Sequence, residues 1–352
     1  MNKYLLVFVL LYTTGPLYSQ NEEGQIPRSN KSTEKTNREW ILEEKTENFK
    51  KQENILSQKF DGIRIMWWNI KRGEHGKLLA SKHSKNINPL EKNLITLVQS
   101  PLKPDVLIFG EYSPHAFKTE VEKYLIDHFK YTMYVDYNPN APGFGFLIFS
   151  NLEWAGPMIY KNIDWTPTAI NLTHDQKQEY RQNIINHFEK ANLFFRPYLR
   201  LKFKEKNKVY NIIPVHLCQP WEEVEQEKSI VSAALASFFD TNNPLFYQLQ
   251  RLTWEMKNDL GTPIDSAAVV LGDFNFPKKY FIKSVSYEYI TQILKDAFTD
   301  NPASFPTPSD EKWYYPSMKI DHAFVSDSIQ TLSAHVLSLR GSDHYPEYIV
   351  VK

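Results

Sequence analysis

The chain has 352 residues, 42% of them hydrophobic and 14% aromatic, which is enough to bury one large core or two smaller ones. Lys plus Arg and Asp plus Glu each number 41, so no overall basic field advertises nucleic acid, although a local basic groove stays open. The single cysteine, Cys218, excludes an internal disulfide framework.

Residues 1–19 read as a secretory signal: Lys3 follows the start, residues 4–12 form a short apolar core, Gly15 and Pro16 break it, and Ser19 is small enough for cleavage. The apolar run is too short for a comfortable membrane span. An exported protein, periplasmic or secreted, is therefore expected, with a mature chain starting near Gln20. Residues 20–60 are rich in Glu, Lys, Asn and Gln and read as a charged linker or a loosely docked helix, using Trp40, Ile41, Phe49 and Ile55 over 36–57. One globular domain is expected over 61–352.

Within that domain, residues 63–70 read as a strand ending on the polar Asn69, and 90–99 as an amphipathic helix. Residues 105–111 repeat the pattern: an apolar strand, then Gly110, then Glu111. A helix is expected over 116–128, then strands over 131–137 and 144–150 around a Pro/Gly turn at 139–143. Residues 151–192 hold a polar, Gln-rich stretch at 174–190 that reads as a helix in an insertion. Strands at 199–203 and 209–217 make a hairpin-like pair, the second carrying His216 at its end. Helices are expected over 221–240 and 245–260.

The stretch 267–275 is the most informative. A buried apolar strand stops at Gly272, and Asp273 and Asn275 follow, two apart and so on one face of an extended chain. Both residue types also suit a capped turn, and this stretch alone does not decide between turn and chemistry. A helix over 287–298 and strands at 319–326, 330–337 and 347–351 complete the pattern.

The polar strand ends form a set: Asn69, Glu111, His216, Asp273, Asn275, Asp321, Asp343 and His344. Hard oxygen donors with two histidines and no thiolate suit a divalent cation, Mg²⁺ foremost, with Mn²⁺ or Ca²⁺ as alternatives. The histidines suit proton transfer near neutral pH. Phosphate ester cleavage needs both functions.

The motifs Trp68-Asn69-Ile70, Gly110-Glu111, Val215-His216-Leu217, Gly272-Asp273-Phe274-Asn275, Ile320-Asp321-His322 and Ser342-Asp343-His344-Tyr345-Pro346 resemble, in order, those of the endonuclease/exonuclease/phosphatase superfamily, the deoxyribonuclease-I-like fold. The resemblance implies an α/β protein, a four-layer α/β sandwich of two packed mixed β-sheets flanked by helices. It implies a metal ligand at Glu111, with Asn69 and Asp343 assisting. It implies further that Asp273 orients or activates the attacking water and that Asn275 hydrogen-bonds the phosphate. His344 would contact the scissile phosphate with its imidazole held by Asp321, and His216 would be a second phosphate-facing histidine, a candidate general acid for the leaving oxygen. One departure is plain: many relatives carry an Arg soon after the metal Glu, whereas Tyr112-Ser113-Pro114-His115 stands here.

The expected activity is metal-dependent hydrolysis of phosphodiesters, with nucleic acid ahead of lipid as substrate. The alternatives are a phospholipase, sphingomyelinase or phosphoinositide phosphatase, and a catalytically silent binding protein. Trp313 and Tyr314 could stack a base, dip into a membrane surface, or simply pack. No stable protein partner is inferred, and a monomer is expected.

Overall fold

Strand β1, Ile63–Asn69, sends alternate side chains to opposite faces of its sheet. Ile63, Ile65 and Trp67 join a cluster shared by two sheets, while Met66 and Trp68 join a second cluster under helices. Strand β2, Val106–Tyr112, follows the same period, with Val106 and Ile108 inward and Leu107 and Phe109 outward.

The computed structural model describes residues 49–54, 56, 60–73, 88–114, 116–137, 145–162, 196–217, 244–279, 282–300, 304, 319–339 and 341–352. All of them fall in one unit, Glu43–Lys352. The expected signal at 1–19, the helices at 174–190 and 221–240, the turn at 139–143, Cys218, Trp313 and Tyr314 lie outside the described residues.

Among the described residues, the first sheet runs β13 (Thr331–Val336), β14 (Glu347–Val351), β1, β2, β4 (Gly145–Ser150) and β3 (Tyr131–Asp136). The second runs β11 (Lys295–Asp296), β12 (Lys319–Val325), β9 (Ala268–Lys279), β8 (Lys208–His216), β7 (Pro197–Glu205) and β5 (Glu153–Trp154). Strand β10 (Ile282–Lys283) pairs with β9, and β6 (Ile159–Asn162) with β7. Each sheet mixes parallel and antiparallel pairs.

Helices cover both outer faces. Helix α1, Pro89–Gln99, starts where Asn88 Oδ1 accepts the Leu90 N–H at 3.0 Å, with Pro89 pre-set in the first turn. It buries Leu90, Leu94, Leu97 and Val98 on the first sheet, each contributing on the order of 1.5–3 kcal/mol. Helix α2 (Thr119–His128) buries Val121 and Leu125 on the same face. Helices α3 (Pro244–Leu260) and α4 (Val285–Thr291) close the second sheet with Leu245, Leu249, Leu252, Met256, Tyr287 and Ile290. The result is a four-layer α/β sandwich of two packed mixed sheets flanked by helices. Residues 49–54 are helical, and Gln52 ties to the domain by donating to Val336 O and accepting from Ser338 N.

Several boundaries differ from expectation. The helix expected over 287–298 stops at Thr291, and Lys295–Asp296 forms β11 instead. The exposed edge of β12 takes that pair as a partner, and Asp296 holds the corner by accepting from Tyr287 Oη and Phe298 N. The helix expected from 116 begins at Thr119, because Ala116 and Phe117 are packed into the core and Glu91 accepts the Lys118 N–H. Strands β5, β6 and β10 have no signal in the sequence, since two to four residues carry no readable alternation.

Candidate active site

Strand pairing brings the polar ends together. Parallel pairing of β1 with β2 sets Asn69 beside Gly110, and parallel pairing of β8 with β9 sets His216 beside Asp273. Antiparallel β12 places Asp321 opposite that same Asp273. The approach of β8 to β9 needs Gly272, which has φ +151°. A Cβ there would lie 1.8 Å from Val215 O.

Inward phase explains most of the cluster. Asn69 continues the face of Trp67, Asp273 that of Leu271, and Asp321 that of Ala323, all residues of the shared inter-sheet core. Glu111 does not follow this rule, since alternation would send it outward with Phe109. It has φ 49°, and the register of β2 with β4 shifts between Phe109 and Tyr112, so an irregularity re-aims the side chain. That backbone costs about 1–3 kcal/mol and is held by the Glu111 N–H donating to Tyr137 Oη at 2.9 Å.

Asn69 Nδ2 donates to Glu111 Oε1 and to Asp273 Oδ2, both at 3.1 Å, while its Oδ1 accepts the Lys71 N–H at 3.1 Å. In this arrangement Asn69 holds the two carboxylates and turns its oxygen away from them. His216 Nε2 stands 3.4 Å from Glu111 Oε1 and 3.8 Å from Asp273 Oδ2. On the other side His344 Nε2 lies 3.9 Å from Asp273 Oδ2, and His344 Nδ1 pairs with Asp321 Oδ2 at 2.8 Å. Trp67 Nε1 donates to the other Asp321 oxygen at 2.9 Å, and Trp68 Nε1 donates to His344 O at 2.9 Å.

Two expected residues sit differently from the rest. Asn275 takes a left-handed backbone, φ 52°, and donates its Nδ2 to Leu217 O at 2.8 Å. Its N–H binds Asp273 Oδ1 at 2.9 Å, so it braces that carboxylate. Asp343 directs Oδ2 to Lys71 Nζ at 2.7 Å and accepts Ser342 Oγ. Trp313, Tyr314 and His115 lie outside the described residues.

Burial sets the electrostatics. It pushes the Asp273 carboxyl well above the usual range, helped by the neighbouring Asp321 and Glu111 charges. It also drives His216 well below the ordinary imidazole range, with Arg196 and His344 adding repulsion. Burial opposes charge on His344 too, but Asp321 outweighs it by charge and hydrogen bond and pushes this imidazole up to about 10. Asp321 itself is held below the usual carboxylate range, because the His344 charge and the bonds from His344 and Trp67 overcome its burial.

One ligand atom each from Glu111, His216 and Asp273 lies within 4.8 Å of the others, and Asp273, Asp321 and His344 form a second such group. The first group fits a hard divalent cation: it offers carboxylate oxygens, and burial disfavours the charged form of Asp273, a cost that a bound cation would offset. Three supporting residues escaped the sequence reading. Trp67 was legible in principle, being in phase with Asn69. Tyr137 and Lys71 act through distant contacts with no local signature.

Carboxylates gathered for a hard cation, beside an imidazole held charged by a buried aspartate, are what phosphoester cleavage requires. Fold and site together define a metal-dependent phosphoester hydrolase. The chain belongs to the Endonuclease/Exonuclease/phosphatase family, whose pattern matches residues 66–344.

Solved structures agree on the fold. An endonuclease/exonuclease/phosphatase from Beutenbergia cavernae is 14% identical with a TM-score of 0.53, covering 82% of this chain and 71% of its own. A mannosyl-6-phosphatase from Bacteroides thetaiotaomicron is 14% identical with a TM-score of 0.52, covering 82% and 99%. The human Nocturnin catalytic domain with bound sulfate is 17% identical with a TM-score of 0.50, covering 83% and 93%. No curated protein matches the sequence. At these identities the likeness speaks for the fold alone.

Proposed function

We propose that this phosphoester hydrolase cleaves phosphodiesters, with nucleic acid as its substrate, and that it uses Mg²⁺ and works outside the cytoplasm. The observation that carries the reading is the pair of imidazoles flanking the Asp273 carboxylate, His216 Nε2 at 3.8 Å and His344 Nε2 at 3.9 Å, of which only His344 is paired with Asp321. A diester at neutral pH benefits from both a proton acceptor on the water side and a proton donor on the leaving side.

Glu111 and Asp273 would hold the cation, which when bound supplies charge neutralisation at the phosphoryl oxygens. Asn69 keeps the two carboxylates turned toward one point. Asp273, braced by the Asn275 N–H, orients the attacking water. His216, whose burial disfavours the charged form, stands beside it as a proton acceptor, in place of the acid role that the resemblance implies. His344, kept protonated by Asp321, faces the phosphoryl group and donates to the departing oxygen. Export rests on the 1–19 signal, and sequencing the N-terminus of native material tests it. No helix among the described residues is long and apolar enough to cross a membrane.

The deciding experiment is a substrate panel: plasmid DNA, RNA, sphingomyelin, a phosphoinositide and a sugar 6-phosphate, each with Mg²⁺, Mn²⁺ or Ca²⁺ and an EDTA control. Metal-dependent cleavage of DNA or RNA is expected. Turnover confined to the sugar phosphate or the lipids would overturn the nuclease reading.

A further inference from the structure

Trp67 is fully buried in the core between the sheets, where any large apolar side chain would fill the space. A space-filling role makes no use of its N–H. Yet the indole Nε1 donates to Asp321 Oδ1 at 2.9 Å, across from β1 in one sheet to β12 in the other. The carboxylate it meets also bonds through Oδ2 to His344 Nδ1 at 2.8 Å, and the Ser304 side chain is a further partner. The backbone N–H of Asp321 is anchored on the same Ser304 Oγ at 3.1 Å.

The far end of the same ring touches the other half of the site. A Cβ added to Gly110 would lie 2.2 Å from Trp67 Cη2, so the six-membered ring lies over the backbone just before Glu111. Its edge also meets Phe146, with ring centroids 6.1 Å apart. The side chain is thus clamped between β2 and the Asp321 carboxylate, with no room to swing.

We propose that Trp67 is a positioning residue for the reaction: its indole N–H fixes the rotation of the Asp321 carboxylate so that Oδ2 faces His344. The inference rests on reading Asp321 and His344 as a working pair. Without the indole, Oδ1 loses a buried donor, the carboxylate is freer to turn toward Ser304, and the imidazole loses its fixed partner. Trp67 therefore acts on chemistry through Asp321 and not through substrate binding.

The test uses the full chain. Trp67→Phe keeps an aromatic ring and deletes the donor at some loss of volume, and incorporation of 3-benzothienylalanine at position 67 deletes the donor while keeping the bicyclic shape. Both should lower kcat by about ten- to hundredfold, the loss expected for one hydrogen bond to a charged group, with KM near wild type. Added to Asp321→Asn, either change should cost little more, because the residues act as a unit. Full multiplicative losses, or a rise in KM at unchanged kcat, would overturn the proposal. A second readout is independent of activity. The chain has eight tryptophans, and ¹⁵N-indole labelling gives each an N–H signal, with Trp67 assigned from the substituted protein. Asp321→Asn should shift the Trp67 signal and speed its exchange, since a neutral acceptor replaces a charged one. An unmoved signal overturns the bond. If the wild type cleaves no phosphodiester but the signal responds, the substrate reading fails and the Trp67–Asp321 link stands.

Discussion

Asn69 and Asp273 sit on different sheets, yet the Asn69 amide donates to the Asp273 carboxylate at 3.1 Å while also donating to Glu111. One neutral side chain thus keeps a buried and a half-buried acid close enough to share a cation. Asn69→Asp would replace both donors with a third negative charge. It should destabilise the protein in EDTA by about 1–3 kcal/mol, with divalent metal restoring much of the loss. Urea unfolding with and without metal checks this, and equal stability of the two proteins in EDTA would contradict it.

Glu111→Gln keeps the shape of the niche and removes a charge. Metal at about 100 times its Kd should raise wild-type stability by ~2.7 kcal/mol, and the variant should lose most of that gain along with its activity. Thermal unfolding against metal concentration measures both proteins. A metal response in the variant equal to that of the wild type would remove Glu111 from the ligand set.

His344 and Asp321 are joined at 2.8 Å from residues 23 apart in the chain. His344→Ala should cost about 10²–10⁴-fold in kcat, and Asp321→Asn a sizeable part of that. The double variant should fall little below His344→Ala alone. Circular dichroism must first show each variant folded. Losses that multiply would mean that the two act independently.

His322, next along β12, faces the other way into an aromatic box. It stacks on Phe276 and Phe324, and its Nε2 bonds Phe276 O at 2.9 Å. Burial, with Lys319 adding repulsion, lowers its pKa to about 3. The folded value lies below the ordinary 6.5, so the neutral ring stabilises the fold above pH 6.5, and this is lost as pH falls from 6.5 toward 3. The slope from this one group is at most ~1.4 kcal/mol per pH unit. His322→Gln should flatten the decline in urea stability between pH 7 and 5. Parallel pH profiles for wild type and variant would exclude this histidine as a cause.

The sequence alone determined where the apolar strands run and which polar residue closes each one. Periods of two and of 3.6 are local properties, and Asn69, Glu111, His216, Asp273, Asp321 and His344 could be collected without knowing what touches what. Only the tertiary structure decided how they meet. Glu111 is aimed by an irregularity whose left-handed backbone leans on Tyr137, against the alternation of its own strand. Asn275 leaves its expected direction to bond Leu217, and Asp343 is joined by Lys71, which stands 272 positions away. Trp67 reads as core in the sequence and turns out to hold Asp321, 254 residues along the chain. A hydrogen bond has direction and needs a partner within about 3 Å, and strand pairing across two sheets supplies both while local pattern encodes neither.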